Sequence, residues 1–433
     1  MIKKYFFAIG LIFGLGLSVI HAEVSEENWK TIKKEVLSVY KSPEAKNDAK
    51  LRLKTLLSLE RADHPEAIKL LAETVIPLEL ELDAPMVLDT IITLIGQSKN
   101  KETILALIET TKKSSLLVKT ILITGMNGLD DPLIINQLLE FLKDNNPVIK
   151  RTTINTLSSF HPTEAFPEVI KALESKEWEM RLSAIKYLKG LSDESSQKKA
   201  LDALIKQQAN ETGRLRHEIS EAISTLSTTS NKTPDDNTTI ATFYGLSIDS
   251  KNLLFLIDVS SSMRHPDNKT QDGVAAMDCL KKELQSAIQN LPPDAKFNII
   301  TFSNTVKQWQ PYPVFAKQSR KEAVDWVAKL DVPNAIGTYT YDALELAFGI
   351  DKEGKVKNAY QTKVDVDTIF LFSDGNPQGG KYDNPEFILK SVKSLNKFRQ
   401  IRINTIGMTV MGSTVNNFLQ QLADENEGKS AFK

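Results

Sequence analysis

The sequence predicts two structural units of different class, an all-α solenoid of stacked helical pairs followed by an α/β doubly wound parallel sheet. From about residue 26 to 226, apolar residues recur at helical spacing and no stretch has the pattern of a strand. In the carboxyl-terminal part, apolar runs typical of buried parallel strands alternate with amphipathic helical stretches. A chain of 433 residues is also too long for one ordinary hydrophobic core.

Residues 1–22 are predicted to be a secretory signal peptide. Lys3 and Lys4 precede an apolar stretch from residue 5 to 20, and Ala22 supplies a small residue for cleavage. The stretch is shorter than the roughly 20 residues that span a bilayer, so a retained anchor is the weaker alternative. We therefore expect an exported protein, in the periplasm, in the cell envelope or outside the cell, with no membrane span after signal removal.

The charged side chains balance, with 54 Lys and Arg against 55 Asp and Glu. This balance gives no support to nucleic-acid binding or to a membrane surface held by electrostatics, so any partner must be recognised locally. The only cysteine, Cys279, cannot form an internal disulfide. Cys279 shares a predicted helix face with apolar residues, which indicates a small core residue rather than a reactive thiol.

The helical unit, residues 23–226, contains an internal repeat. Four similar turns follow one another at intervals of 31 residues, and each has apolar or small residues three, four and seven places on. The turns begin at Leu88, Lys119, Lys150 and Arg181, and the following residues are Ile91, Ile92 and Ile95, then Leu122, Ile123 and Met126, then Thr153, Ile154 and Leu157, then Ala184, Ile185 and Leu188. This period predicts an α-solenoid. An irregular helical bundle is the alternative.

Two segments of this unit, NPVIKRTTINTL and EWEMRLSAIKYL, are similar to the second helix of HEAT-like repeats. The next residues, 227–240, form a predicted linker, because STTSNKTPDDNTT contains polar residues and proline but no apolar residue. Such a linker predicts that the two halves fold separately.

The second unit, residues 241–433, has four apolar runs that we predict to be parallel strands, at residues 253–257, 297–302, 368–372 and 401–406. Three features mark the intervening helices. They are a capping box from Ser319 to Glu322, the cap Asn384 followed by Pro385, and an apolar stripe of Val415, Phe418, Leu419 and Leu422.

Polar side chains follow two of these predicted strands, at the edge where ligands bind to open α/β sheets. In LIDVSSSM, Asp258, Ser260 and Ser262 come directly after a strand, and in TIFLFSDGNP the same holds for Asp374. Thr338 lies in a glycine-marked loop, AIGTYTYDAL, just before another predicted helix. Oxygen ligands of this kind suit Mg²⁺ or Mn²⁺, and the absence of clustered His or Cys argues against zinc and copper.

The region from about residue 241 to 433 resembles a von Willebrand factor A domain. DVSSS, Thr338 and Asp374 match the metal-ion-dependent adhesion site of that family in order and spacing. The stretch that enters the domain is similar to that of exported bacterial members, in which helical repeats also precede it. The departures from the family pattern are Ser261 and Ile336, each in place of a glycine, and Ser373 in place of threonine, and none of them is at a ligand position.

The resemblance implies a role for each site residue. Ser260 and Ser262 would bind the metal through their hydroxyls, and Thr338 would bind it directly or through water. Asp258 and Asp374 would hold metal-bound waters. Neutral hydroxyl ligands leave the charge of the ion poorly compensated, so an open coordination position would attract the Asp or Glu carboxylate of a partner protein.

These observations predict a non-enzymatic protein-interaction or adhesion module, with the helical repeats as a second binding surface or scaffold. One alternative is a Mg²⁺-dependent hydrolase of phosphate esters, but Ser260 stands where such enzymes carry a second acid, and no basic phosphate clamp lies near. Another is a repeat scaffold whose metal site is vestigial. His265 shows no orienting partner that would make it a catalytic base.

Overall fold

The structure is a computed structural model that describes residues 26–82, 84–227, 241–264, 276–333, 336–349, 365–408 and 414–433. The predicted signal peptide, nearly all of the predicted linker and His265 lie outside the described residues. In the described part of the chain, no helix is long and apolar enough to cross a bilayer.

The first unit consists of helices. They are α1 (Glu26–Tyr40), α2 (Pro43–Asn47), α3 (Ala49–Leu56), α4 (Pro65–Leu70), α5 (Ile76–Glu81), α6 (Pro85–Gly96), α7 (Lys101–Lys113), α8 (Leu116–Gly125), α9 (Pro132–Phe141), α10 (Pro147–Leu157), α11 (Phe166–Ala172), α12 (Trp178–Lys189), α13 (Glu194–Gln208) and α14 (Gly213–Leu226). A π-helical turn, Leu71–Val75, joins α4 to α5. An Asp or Asn cap followed by proline begins two of these helices, at Asp131 and Asn146.

The helices of the first unit repeat as predicted. Helices α6, α8, α10 and α12 begin at residues 85, 116, 147 and 178, which are 31 residues apart. Each of them packs against the next, and α12 packs against α14, so these five helices form one layer of the solenoid. Every apolar or small residue that the repeat pattern places three, four and seven positions on is buried. The solenoid is confirmed, because each helical pair covers the apolar face of its neighbour.

The second unit alternates strands and helices. The strands are β1 (Thr242–Phe243), β2 (Leu246–Ser247), β3 (Asn252–Asp258), β4 (Lys296–Phe302), β5 (Val306–Gln308), β6 (Val314–Phe315), β7 (Thr368–Ser373), β8 (Arg402–Gly407) and β9 (Ser430–Phe432). The helices are α15 (Ala276–Asn290), α16 (Ala316–Ala328), α17 (Thr340–Gly349), α18 (Pro385–Arg399) and α19 (Thr414–Asp424).

The main sheet has the order β5-β4-β3-β7-β8-β9, with β6 also paired to β4. Strands β4, β3, β7, β8 and β9 run parallel, whereas β5 and β6 run antiparallel to β4. Helices α15 and α16 cover one face of the sheet, and α17, α18 and α19 cover the other. The α/β doubly wound fold is confirmed. The strand order reverses between β3 and β7, which places their carboxyl ends beside a crevice.

Some local predictions for this unit need correction. The predicted capping box at Ser319 is wrong, because α16 already begins at Ala316, directly after β6, and Ser319 lies inside the helix. The cap at Asn384 is confirmed, since its side chain accepts hydrogen bonds from the N–H groups of Glu386 and Phe387.

Cys279 is partly buried and packs against the core beneath α15. Phe418, Leu419 and Leu422 of the predicted stripe are buried. The side chain of Val415 lies outside the description.

The two units contact each other through four of the five helices of this layer, α6, α10, α12 and α14. The buried guanidinium of Arg214, on α14, donates hydrogen bonds to the carbonyl oxygens of Asp367 at 2.6 Å and Gln400 at 2.7 Å. Arg214 also pairs with Glu427 at 3.1 Å. Asp367 directly precedes β7, and Gln400 lies two residues before β8. The solenoid therefore holds the sheet at the amino ends of its strands.

Further polar contacts extend this interface along the solenoid. Arg402 of β8 pairs with Glu218 of α14 at 2.8 Å, and Lys186 of α12 pairs with Glu427 at 2.5 Å. Ser394 of α18 donates to the carbonyl oxygen of Pro85, at the start of α6, at 2.7 Å. Part of one solenoid layer is thus covered by the α/β unit of the same chain.

Limited proteolysis tests how the two units are joined. We expect the first cut within residues 228–240, because that segment has the composition of a linker and the chain on either side is folded. The two fragments should then elute together from a sizing column in low salt, held by the polar contacts of the interface. A first cut inside α18 or β8, or fragments that separate at once, would contradict this expectation.

Candidate metal centre

The end of β3 turns sharply and brings two serine hydroxyls together. Asp258 is the last residue of β3 and accepts a hydrogen bond from the N–H of Ser260 at 2.8 Å. The Oγ atoms of Ser260 and Ser262 share a hydrogen bond at 2.9 Å. Between them in sequence, Val259 is buried and Ser261 is exposed. The turn therefore brings the polar groups at positions 258, 260 and 262 together, while Val259 packs inside the protein and Ser261 faces solvent.

The end of β7 completes this group. Ser262 Oγ donates to Asp374 Oδ1 at 2.9 Å, and Ser373 Oγ donates to Asp258 Oδ2 at 2.6 Å. The backbone N–H of Asp374 also donates to the Asp258 carboxylate. Hydrogen bonds therefore link Asp258, Ser260, Ser262 and Asp374, from two strands whose carboxyl ends are adjacent.

The loop that carries Thr338 is attached to the same edge of the sheet through its backbone. Thr338 exchanges two backbone hydrogen bonds with Gln378, at 2.8 and 3.0 Å, and the N–H of Tyr339 donates to the carbonyl oxygen of Ser303 after β4. Gly337 has φ +136°, and a Cβ there would lie 3.0 Å from the Tyr339 ring. Glycine is needed at this position, and it sets the path of the chain into Thr338.

Burial governs the electrostatics of Asp258. Burial raises the pKa of this carboxyl above its ordinary value, and hydrogen bonds from Ser373, from Ser260 and from the N–H of Asp374 offset part of that rise. Because the attraction between charges is stronger away from water, a nearby cation stabilises the charged form of a buried carboxylate more than that of an exposed one.

The residues present fit a hard divalent ion. Every polar side-chain atom gathered here is an oxygen of a hydroxyl or a carboxylate. Mg²⁺ and Mn²⁺ prefer such oxygen ligands. In the described ranges, no group of three or more His, Cys, Asp and Glu side chains could hold a metal ion. A nitrogen- or sulfur-rich zinc centre is therefore absent from that part of the chain.

Two residues that hold the candidate site together, Ser373 and Gln378, were not predicted as site residues from the sequence. Ser373 is noted there only as a departure from threonine, yet its hydroxyl holds Asp258. Its position at the end of a strand, directly before Asp374, was a usable signal. Gln378 anchors the Thr338 loop through its backbone, and no property of the residue type predicts that contact.

The fold and the candidate site together define a class of protein. Stacked helical repeats are joined to an α/β domain, and an oxygen-rich candidate cation site lies where the strand order of the sheet reverses. Residues 251–432 match the family model for the von Willebrand factor type A domain, and residues 135–224 match the one for HEAT repeats. The α/β unit therefore has the fold of a von Willebrand factor type A domain, and the helical unit before it contains HEAT-like repeats.

Similar proteins of known sequence and structure match the carboxyl-terminal unit. Inter-alpha-trypsin inhibitor heavy chain H2 of Mus musculus is 28% identical over 179 residues, which cover 41% of this chain and 17% of the mouse protein. Inter alpha-trypsin inhibitor heavy chain 4 of Mus musculus is 29% identical over 182 residues, with the same two coverages. The chain thus spans less than a fifth of the length of these relatives.

Among solved structures, a von Willebrand factor type A protein from Catenulispora acidiphila has a TM-score of 0.33 and 18% identity over 42% of this chain and 38% of that one. Proximal thread matrix protein 1 from the mussel byssus, solved with a zinc-occupied MIDAS motif, has a TM-score of 0.32 and 16% identity over 42% of this chain and 43% of that one.

Proposed function

We propose that this is an exported, metal-dependent binding protein that captures a carboxylate of a partner protein through Mg²⁺ or Mn²⁺. The observation that carries the proposal is the continuous set of hydrogen bonds from Ser260 through Ser262 to Asp374. These bonds support the proposal, because they hold oxygen atoms from the ends of β3 and β7 within hydrogen-bond distance of one another.

In this proposal the hydroxyls of Ser260 and Ser262 hold the ion directly, and Thr338 does so directly or through water. Asp258 and Asp374 orient water on the ion, and Ser373 keeps Asp258 in place through its hydrogen bond. The ion, when bound, supplies a positive charge that its hydroxyl ligands do not neutralise. Ser262 is exposed to solvent, so an Asp or Glu side chain of a partner can approach the ion from outside.

Binding rather than catalysis fits the local geometry. A phosphoryl-transfer aspartate needs a free carboxylate oxygen, but both oxygens of Asp258 accept hydrogen bonds and its side chain is buried. The curated relatives are named as chains of an inhibitor, which also supports a binding role. We propose a scaffold role for the repeats, because one of their layers contacts the α/β unit at the edge opposite the site.

A capture experiment tests the metal clamp. The chain from residue 23 onward is immobilised and mixed with an extract of its own cell envelope, in Mg²⁺ or in EDTA. We expect specific proteins to be retained in Mg²⁺, released by EDTA and retained again when Mg²⁺ is restored, because the ion bridges the two proteins.

Two variants make the capture experiment specific. Asp258→Ala should lose capture by at least about tenfold, because the ion loses the charge that orients its waters. The matched control is Ser261→Ala, in the same turn, whose side chain is exposed and hydrogen-bonds to no other site residue. Capture that persists in EDTA would assign binding to the repeats, and metal-dependent release of phosphate from p-nitrophenyl phosphate would favour the hydrolase.

A further inference from the structure

The outward face of α1 carries a group of lysines that the proposed metal clamp does not use. Lys30, Lys33, Lys34 and Lys41 surround Leu37 in a shallow surface depression, which we name the lysine face. Within α1, Lys30, Lys34 and Leu37 follow one another at intervals of four and three residues with Lys33 beside them, so they share one side of the helix, and Lys41 comes directly after its last residue. The acidic residues of the first turn, Glu26 and Glu27, lie at its amino end.

The positive charge of the lysine face is largely uncompensated. Lys33 pairs with Glu66 at 3.3 Å, and Glu66 is shared with Lys69 at 2.8 Å. Within the described ranges, Lys30, Lys34 and Lys41 make no ion pair, and all three are exposed. The side chains therefore bring three free ammonium groups to one surface, although the whole chain has a formal net charge of −1.

Among the described residues, no neighbouring helix covers this face. Helix α1 begins the described part of the solenoid, and it packs against α2 and α3 with its opposite side, where Trp29, Val36 and Tyr40 are buried. A terminal repeat needs a polar outer surface, but it does not need charges of a single sign. Like charges on one helix face repel one another, so this arrangement favours an anionic partner.

The position of α1 in the chain indicates which anion. The apolar stretch of residues 5–20 ends six residues before α1 begins at residue 26. An extended chain covers at most about 3.3–3.6 Å per residue, so while that stretch is in a bilayer α1 lies within roughly 20 Å of the lipid headgroups. Lysines near an anionic membrane surface contribute about 1 kcal/mol each, and Leu37 at the centre of the face offers an apolar contact.

We propose that the lysine face binds the phosphate headgroups of anionic phospholipids and holds the first helix of the solenoid on a membrane surface. This function is separate from the metal clamp and does not depend on Asp258 or its neighbours.

Vesicle sedimentation tests the proposal. The protein from residue 23 onward retains every described residue but lacks the apolar stretch. We expect it to sediment with phosphatidylcholine vesicles containing phosphatidylglycerol at least about tenfold more than with phosphatidylcholine alone, in low salt and EDTA. Binding should fall sharply in high salt, because screening weakens the attraction between the lysines and the lipid phosphates. Equal sedimentation with both kinds of vesicle would overturn the proposal.

Charge-reversal variants locate the contact. Lys30→Glu, Lys34→Glu and Lys41→Glu combined should lower sedimentation with the anionic vesicles by at least about tenfold, since three attractive charges are replaced by three repelling ones. If this triple variant loses its helical circular dichroism, the corresponding triple Gln variant replaces it, because Gln removes the charge without reversing it.

A matched control separates a local contact from overall charge. Lys317 and Lys321 on α16, and Lys329 directly after it, are also exposed and make no ion pair among the described residues. Reversing these three charges to Glu changes the net charge equally but leaves the lysine face intact. Equal loss in both triple variants would show only that total charge matters, and so would contradict the proposal. Release of the protein by millimolar inorganic phosphate would do so as well, because it would identify a free-phosphate site.

Discussion

Replacing Ser260 and Asp374 together by alanine is expected to remove measurable binding of Mg²⁺ and Mn²⁺. The parent protein should bind one or both ions in the millimolar range or tighter, because uncharged hydroxyl ligands give only modest affinity. The double variant loses one hydroxyl from the end of β3 and one carboxylate from the end of β7. Calorimetric titration of the chain from residue 23 onward measures the effect.

The control for this titration is Ser261→Ala, which should bind both ions as the parent does. The single variant Asp258→Ala should bind about 10–100-fold more weakly than the parent, since residues that orient metal ligands and waters typically contribute that much. A parent protein that binds neither ion, or a double variant with the affinity of the parent, would show that the site assignment is wrong.

Replacing Arg214 by alanine is expected to destabilise the folded protein by at least about 2 kcal/mol, because two carbonyl oxygens lose a charged donor and each acceptor left unsatisfied costs about 1–3 kcal/mol. The carbonyl oxygens of Asp367 and Gln400 would lose their hydrogen-bond donor, and Glu427 would lose one of its two cationic partners. Arg214 is only 2% exposed, so water does not easily replace the guanidinium.

Urea unfolding followed by circular dichroism measures this loss. Arg216→Ala is the matched control, because Arg216 lies on the same helix but is exposed, and its replacement should change the free energy of unfolding by no more than about 0.5 kcal/mol. The Arg214→Ala variant should also release its two fragments in low salt after cleavage of residues 228–240. If Arg214→Ala unfolds like Arg216→Ala, the contact between the two units does not stabilise the protein.

The repeat and the main strands were predictable because both leave a periodic pattern in the sequence. Burial on one side of a helix forces apolar residues to recur, and the 31-residue interval then shows which helices are equivalent. Burial on both faces of β3 and β7 makes each an almost continuous apolar run. Short edge strands such as β5 and β6 lack such a pattern, because they have few residues and are incompletely buried.

The proximity of the polar residues at the ends of β3 and β7 was predictable for a topological reason. Strand ends can be inferred from where apolar runs stop, and the carboxyl ends of neighbouring parallel strands meet at one edge. The interface between the units was not predictable in this way. Arg214 and Asp367 are 153 residues apart in sequence, and an arginine at the start of an amphipathic helix looks like an ordinary surface residue. The contact depends on how the two folded units pack against each other, and no short sequence pattern predicts that packing.

The attachment of the sheet at the amino ends of its strands has a mechanical consequence. Strand β7 lies between Asp367, which Arg214 of the solenoid holds, and Asp374 at the candidate metal centre. A pulling force between a captured partner and the solenoid would act along this strand, and so would load its hydrogen bonds to β3 and β8 in shear. Those bonds would have to break together, whereas a force across the strand would open them one at a time. The geometry thus suits an attachment that bears tension.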